Sequence, residues 1–435
     1  MAVLQDPASH ADLRDPTPTR RTLPVTVLAT VVLITAIAPL ATDMYVPAFP
    51  VVGRDLATTA TSVQLTLTTF FVGMAMGQLV GGPASDRIGR RRPLLISLAV
   101  LVVASLWCAL SPTVAMMMAA RFVQGFSGGW AMVIARSVVV DLTAGARMVR
   151  AMNVVAAVAG VAPVLGPLLG AVILELSHWR VSFWVVAALA ALMLVAVAVG
   201  VPESLPAGRR HGGGLGRLLD STGEVLRTRL FTAHLVVFAF SMGTTFAYVA
   251  TSAFVLQSMN GLSPVAYSID FAANAGGMTL AALAAARLAG RVRTRSLVGS
   301  GLVATAAAGV LLLVAAWFGM PLWAALVGFF VLMTAQGLVG PNAGALASAA
   351  VPGQPGTGSA LLGFLQWCLA GVIAPLAGLG GDRTAVPMAV IVLALTVASL
   401  AAMVLSRTGS VATGSSSSAG SRTAPRTASR GRQGP

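Results

Sequence analysis

Lysine is missing altogether from the 435 residues, and charged side chains of every kind make up only 9%. A soluble chain of this length carries about a quarter. With hydrophobic residues at 57% and a mean hydropathy of +0.86, the deficit excludes a water-soluble globular domain and defines a polytopic membrane protein. The exclusive use of arginine reads as base-composition bias rather than chemistry. Cysteine is limited to Cys108 and Cys368, in different apolar runs, which leaves neither a disulfide framework nor metal-ligand spacing. The four histidines, at 10, 178, 211 and 234, are far apart, so they form no metal site and no catalytic constellation of an integral-membrane enzyme; His234 reads as an interfacial residue. The glycines at 212–214 lack the G-K-[ST] ending of a phosphate loop, which excludes a self-contained ATP-driven pump. A sensor would need a soluble input or output domain, and only short tails flank the apolar runs.

Long apolar runs are what the chain has instead. They fall near 24–49, 62–82, 93–111, 113–136, 151–174 and 180–201, then near 230–257, 264–288, 297–318, 320–341, 356–379 and 385–406. Each is close to the roughly 20 residues that cross a bilayer. The first is too long for a cleavable signal and is expected to stay as a span. The expected organisation is all-α: a disordered tail (1–22), a six-helix bundle (23–201), a linker (202–229), a second six-helix bundle (230–406) and a disordered tail (407–435).

Placing the N-terminus inside puts 23 of the 28 arginines in cytoplasmic segments. The opposite face keeps only Arg54, Arg180 and Arg383, while Arg121 and Arg136 lie in span four. This asymmetry predicts cytoplasmic termini and explains the net charge of +15 without nucleic acid. The halves also echo each other. Thr42-Asp-Met-Tyr-Val46 matches Thr245-Phe-Ala-Tyr-Val249, Gln124-Gly125 matches Gln336-Gly337, and Gly160-Val-Ala-Pro163 resembles Gly371-Val-Ile-Ala-Pro375. The order is kept, which indicates a parallel duplication and a substrate site between the halves near the midplane.

Asp43 is the acidic residue of the first apolar run, flanked by Pro39, Pro47 and Pro50. A carboxylate at that depth needs a wet cavity or a partner, and the prolines predict a bent helix beside it. Arg121, deep in span four, needs an acceptor or water for the same reason. Tyr45, Gln124, Tyr248, Asn342 and Gln366 are polar groups in apolar helices, read as cavity liners or as helix–helix hydrogen-bonding groups. Asp270 and Asn274, one turn apart early in span eight, face either the cavity or the outer mouth.

Three motifs add to this reading. Gly82-Pro-Ala-Ser-Asp-Arg-Ile-Gly-Arg-Arg-Arg92, between spans two and three, fits G-x-x-x-D-R-x-G-R-R, the loop signature of the major facilitator superfamily. Its glycines permit a tight turn and close helix approach. Gly290-Arg-Val-Arg-Thr-Arg295 keeps only the charge in the second half. Arg121-Phe-Val-Gln-Gly125 resembles that superfamily's span-four motif, and Gly160-Val-Ala-Pro-Val-Leu-Gly-Pro-Leu-Leu-Gly170 (Gly160, Pro163, Gly166, Pro167, Gly170) resembles the span-five motif of its antiporters. With T-D-M-Y-V-P at 42–47, Pro341-Asn-Ala-Gly-Ala-Leu346 and Gly358-Ser-Ala-Leu-Leu-Gly-Phe-Leu-Gln366, the chain from about 24 to 406 resembles the bicyclomycin/chloramphenicol-resistance branch of drug:proton antiporters.

The resemblance implies the major facilitator fold, twelve transmembrane helices in two pseudo-symmetric bundles, and alternating access driven by proton entry with no cofactor. It implies a plasma-membrane monomer whose partners are a small-molecule substrate, protons and the bilayer. Asp43 would be the protonated carboxylate and Arg121 its electrostatic regulator. Gly82, Asp86, Arg87, Gly89, Arg90 and Asp141 would form a conformational latch, with Asp86 facing the start of span eleven and Arg90 paired with Asp141. Some related antiporters carry a second acid two turns before the first; here that position is Thr35, so the resemblance does not extend to strongly cationic drugs. The expected function is proton-coupled export of small amphiphilic drugs, with a dedicated exporter of one endogenous metabolite as the alternative.

Overall fold

The structure is a computed structural model that describes residues 24–143, 145–210 and 222–414. Among these, twelve helices are long and apolar enough to cross a bilayer. They are α1 (Val25–Asp43), α2 (Ala60–Ile88), α3 (Arg91–Leu110), α4 (Val114–Leu142), α5 (Gly145–Leu176), α6 (Arg180–Gly200), α7 (Arg229–Ala253), α8 (Pro264–Leu288), α9 (Thr294–Trp317), α10 (Leu322–Ala349), α11 (Pro355–Ala377) and α12 (Val386–Gly414). Hydroxyl residues fix several starts. Thr59, Thr113 and Ser263 accept the first free backbone N–H groups of α2, α4 and α8.

The helices form two bundles with the same internal wiring. In the first, α1 packs on α4, α5 and α6, α2 on α4, and α3 on α4 and α6. In the second, α7 packs on α10, α11 and α12, α8 on α10, and α9 on α10 and α12. The bundles meet along α2–α11 and α5–α8, two interfaces that exchange under the same correspondence. The internal repeat of the sequence is thus a repeat of the architecture.

Glycine sets how closely helices approach. A Cβ on Gly77 would stand 2.0 Å from the Phe126 carbonyl oxygen, and one on Gly125 would stand 2.0 Å from that of Phe70. The backbones of α2 and α4 therefore touch, as small residues in a bilayer allow. Gly337, the counterpart of Gly125, meets the Met278 carbonyl at 2.1 Å by the same measure, which repeats the contact between α10 and α8.

Span one is not a single helix. The Tyr45 N–H turns back to the Thr42 carbonyl at 3.1 Å, Pro47 has no N–H, and a 3-10 turn (Val46–Ala48) leads into a short helix (Phe49–Asp55). The expected end of span one near 49 therefore moves out to 55. Span seven is interrupted near the same end, somewhat further along, where α7 passes into a π-helical turn over Phe254–Met259.

The two interruptions meet and close that end of the molecule. The Gln257 amide donates to the Pro47 carbonyl at 3.0 Å, and the Phe49 and Phe254 rings lie 5.8 Å apart. Gln64 of α2 donates to the Ala250 carbonyl of α7 at 3.0 Å, and Thr61 donates to the Gly378 carbonyl at 3.3 Å. About 10 Å along α2 from Gln64, Phe71 stacks with Phe246 (4.6 Å) and Trp367 (5.6 Å) between the bundles. Beyond this aromatic layer lies a cavity of about 750 Å³ that runs to the end carrying the α2–α3 turn.

Candidate functional site

Asp43 is the last residue of α1 and is 6% exposed. Its Oδ1 lies 3.0 Å from the Thr42 hydroxyl, which is also 3.0 Å from the Ala38 and Pro39 carbonyl oxygens. The expected wet surroundings are absent in this conformation. The cavity reaches Thr35, about two turns below, and stops there.

The span-five motif holds Asp43 in place. A Cβ on Gly166 would stand 2.8 Å from the Asp43 Cβ, and one on Gly170 would stand 2.2 Å from the Met44 carbonyl oxygen. Pro163 and Pro167 lie inside the same helix. Gly160 plays another part. It has open space around it, and its carbonyl lies 3.5 Å from the Thr279 hydroxyl of α8 across the bundle interface.

Arg121 is fully buried, and among the described residues it pairs with no carboxylate. Its Nη1 donates to the Ala41 carbonyl at 3.1 Å and to Gln124 Oε1 at 2.7 Å. That carbonyl is free because the Tyr45 N–H has turned to Thr42. The guanidinium lies 4.3 Å from the Phe70 ring centroid, 5.1 Å from Tyr45 and 5.5 Å from Phe183, a cation–π cage for a desolvated charge. Arg121 thus grips the broken end of α1 two residues before Asp43 instead of the carboxylate itself.

The second half shows what is particular to the first. Gln124 donates to Ser105 at 2.9 Å, and its counterpart Gln336 donates to Thr305 at 3.1 Å. Where Arg121 would fall, the second half has Met333, and Ser241 donates to Gln336 instead. Where Asp43 would fall stands Phe246 of the aromatic layer. The ionisable pair belongs to one bundle and the stopper to both.

At the cavity mouth α2 runs straight through Gly82 to Ile88, and the turn is only Gly89 and Arg90. Gly82 has open space around it, so it serves neither a turn nor a close contact. Gly89 has φ +101°, and a Cβ there would stand 2.5 Å from Glu203 Oε2; only glycine fits both demands. Arg90 is the hub. It contacts Asp86 at 2.6 Å, Asp141 at 3.0 Å and the Ser85 hydroxyl at 2.6 Å, and it is buried. Asp86 shares the cavity wall with Ser359 and Ala360 of α11, while Arg87 is exposed and has no polar partner among the described residues.

Sequence reasoning missed Glu203. Just beyond α6, its carboxylate accepts from the Arg90 N–H at 2.7 Å, the Leu205 N–H at 3.1 Å and the Arg91 N–H at 3.3 Å, which caps α3. Partial burial pushes this carboxyl up, but the three N–H groups and the Arg210 guanidinium outweigh that and hold it below the usual glutamate range. An acid directly after an apolar run, opposite a helix start, was the available signal.

Among the described residues the cavity walls do not include Tyr45, Gln124, Tyr248, Asp270, Asn274, Asn342 or Gln366. Tyr45 bonds Thr66 at 3.1 Å inside the first bundle. Asn274 donates to Asp270 at 2.8 Å and to Tyr248 at 3.0 Å inside the second. Asn342 donates back to the Leu338 carbonyl at 2.8 Å, and Gln366 is half-buried. Tyr45, Gln124 and Tyr248 thus take the helix–helix hydrogen-bonding role that was the other reading open for them.

The fold and this arrangement define a transporter of the major facilitator type. Residues 31–375 match the profile described as Major Facilitator Superfamily, and the chain belongs to that family. It is 34% identical over 361 residues to the uncharacterized MFS-type transporter YdgK of Bacillus subtilis, covering 82% of this chain and 90% of that one. It is 26% identical over 361 residues to the bicyclomycin resistance protein homolog of Haemophilus influenzae (83% and 91% covered) and 28% identical over 358 residues to multidrug resistance protein D of Escherichia coli K12 (82% and 89%). Its fold resembles that of a D-xylose–proton symporter, with TM-score 0.68, 16% identity, and 87% of this chain and 96% of that one covered.

Proposed function

We propose that the chain exports small amphiphilic drugs by alternating access, driven by protons that enter through Asp43. The observation that carries this is a buried carboxylate at the broken end of α1, with no cation paired to it among the described residues, held by Gly166 and Gly170 on the sealed side of the aromatic layer. The Thr42 hydroxyl beside Asp43 suits both the ionised and the neutral carboxyl. It donates to an ionised Asp43, or it donates to the helix carbonyls and accepts the acid proton of a neutral one.

The arginine distribution supports cytoplasmic termini, so the sealed end faces outwards and the cavity faces the cytoplasm. In the opposite state the Gln257–Pro47 and Gln64–Ala250 contacts part, and water reaches Asp43 from the more acidic side. The Arg90 hub with Asp86 then meets the start of α11 as a latch at the closed cytoplasmic end. No cofactor enters this cycle. Inverted membrane vesicles loaded with the protein should accumulate chloramphenicol or bicyclomycin when the lumen is acidified. Accumulation that persists after the proton gradient is collapsed would contradict the reading.

A further inference from the structure

We propose that Arg136 is the recognition cation of the cavity, and that among exported compounds it favours those carrying an anionic group of carboxylate or phosphate type. The inference rests on the export reading above. Val133, Arg136, Ser137, Val140 and Asp141 recur at helical spacing on the face of α4 that walls the cavity. Arg136 sits at the centre of that stripe, about 7.5 Å deeper than Asp141. It is exposed, yet it lies inside a cavity between membrane helices rather than on an outer surface.

Its partners are the second observation. The other charged groups on the cavity wall are Asp86, Asp141 and Arg90, and Arg90 engages both carboxylates. Arg136 has no ion pair or hydrogen bond among the described residues. Arg121 on the same helix shows how a structural arginine is housed, since it is buried, hydrogen-bonded and stacked on rings. An ionised side chain kept at membrane depth without such housing marks a substrate pathway. A guanidinium offers parallel N–H donors that match a carboxylate or phosphate edge. Leu79, Val133 and Phe364 supply the apolar surface for the rest of the molecule.

Anion export in exchange for inward protons moves charge in one direction, so the membrane potential drives it as well as the pH difference. Lipid headgroups carry the same phosphate chemistry, and the test must separate them. The purified full chain is titrated in lipid-free nonionic detergent with chloramphenicol and with its anionic hemisuccinate. Wild type should bind the hemisuccinate at least about tenfold more tightly. Arg136→Gln should lose that preference while keeping its affinity for chloramphenicol and its melting temperature, and Arg136→Lys should retain part of it.

Equal binding of the two compounds by wild type, or equal weakening of both in Arg136→Gln, would overturn the inference and leave drug export standing. Binding of neither compound would remove the export reading for this drug class together with the inference. Repeating the titration with added phosphatidylglycerol should leave hemisuccinate binding unchanged. Displacement would assign the site to lipid and overturn the proposal.

Discussion

Gly166 and Asp43 are packed so closely that a methyl group on the glycine would stand 2.8 Å from the aspartate Cβ. One turn on, Gly170 gives the Met44 carbonyl even less room, 2.2 Å. The span-five glycines are therefore not equivalent. Gly170→Ala must push backbone apart and should lower stability by about 1–3 kcal/mol, with loss of transport. Gly160→Ala meets open space and should keep a wild-type melting temperature. Comparing the two variants in detergent checks this, and equal melting temperatures would show that the contact at the end of α1 is looser than described.

The cavity-mouth cluster also ranks its arginines. Arg90 is buried and joins Asp86, Asp141 and Ser85, so Arg90→Ala removes charge-assisted hydrogen bonds to partly exposed carboxylates and should cost about 1.5–3 kcal/mol. Arg87 is exposed and has no polar partner among the described residues, so Arg87→Ala should stay within about 0.5 kcal/mol. Denaturation of both variants beside wild type tests the ranking.

Glu203 gives this cluster a pH dependence. Its folded form is held below the ordinary value of 4.5 by the Arg90, Leu205 and Arg91 N–H groups and by Arg210, although burial opposes them. A lowered carboxyl contributes stability that is fully present above its unfolded value and is lost as pH falls through the lower folded one. Melting temperature should therefore fall in acid below the glutamate range. In Glu203→Gln that part of the fall should be absent, with stability already reduced at neutral pH.

The sealed end depends on few hydrogen bonds. Gln257→Ala removes the donor to the Pro47 carbonyl. A net loss of about 1 kcal/mol shifts a two-state equilibrium roughly fivefold towards opening there. Thiol labelling of a cysteine placed at Thr61, in a chain with Cys108 and Cys368 replaced, should speed up by that factor. No change in rate would show that other contacts hold the closure.

Much of this was legible in the chain. Apolar length gave the twelve spans, and the repeat at Gln124-Gly125/Gln336-Gly337 matched a real correspondence between the bundles, whereas Gly160 meets open space and a Cβ on Gly371 would stand 2.9 Å from Val72. Pairing of Arg90 with Asp141, implied by the family resemblance, is present. Other features depend on which helix faces which, and that is not written locally. Arg121 was expected to regulate Asp43 by charge, but it binds a carbonyl freed by the turn at Tyr45. Glu203 reaches back to α3 from a segment that reads as linker. Polar residues such as Tyr45 and Asn274 look alike in sequence whether they face a cavity or each other, and only packing separates the two.

The central claim is that Asp43 carries the coupled proton, and substrate binding to purified protein in weakly buffered detergent tests it most directly. Proton and substrate must influence each other reciprocally. Adding chloramphenicol to wild type should release protons, and adding it to Asp43→Asn, at matched binding, should release none. Release that persists in Asp43→Asn would contradict the assignment and move attention to Asp270, the carboxylate held by Asn274 in the second bundle.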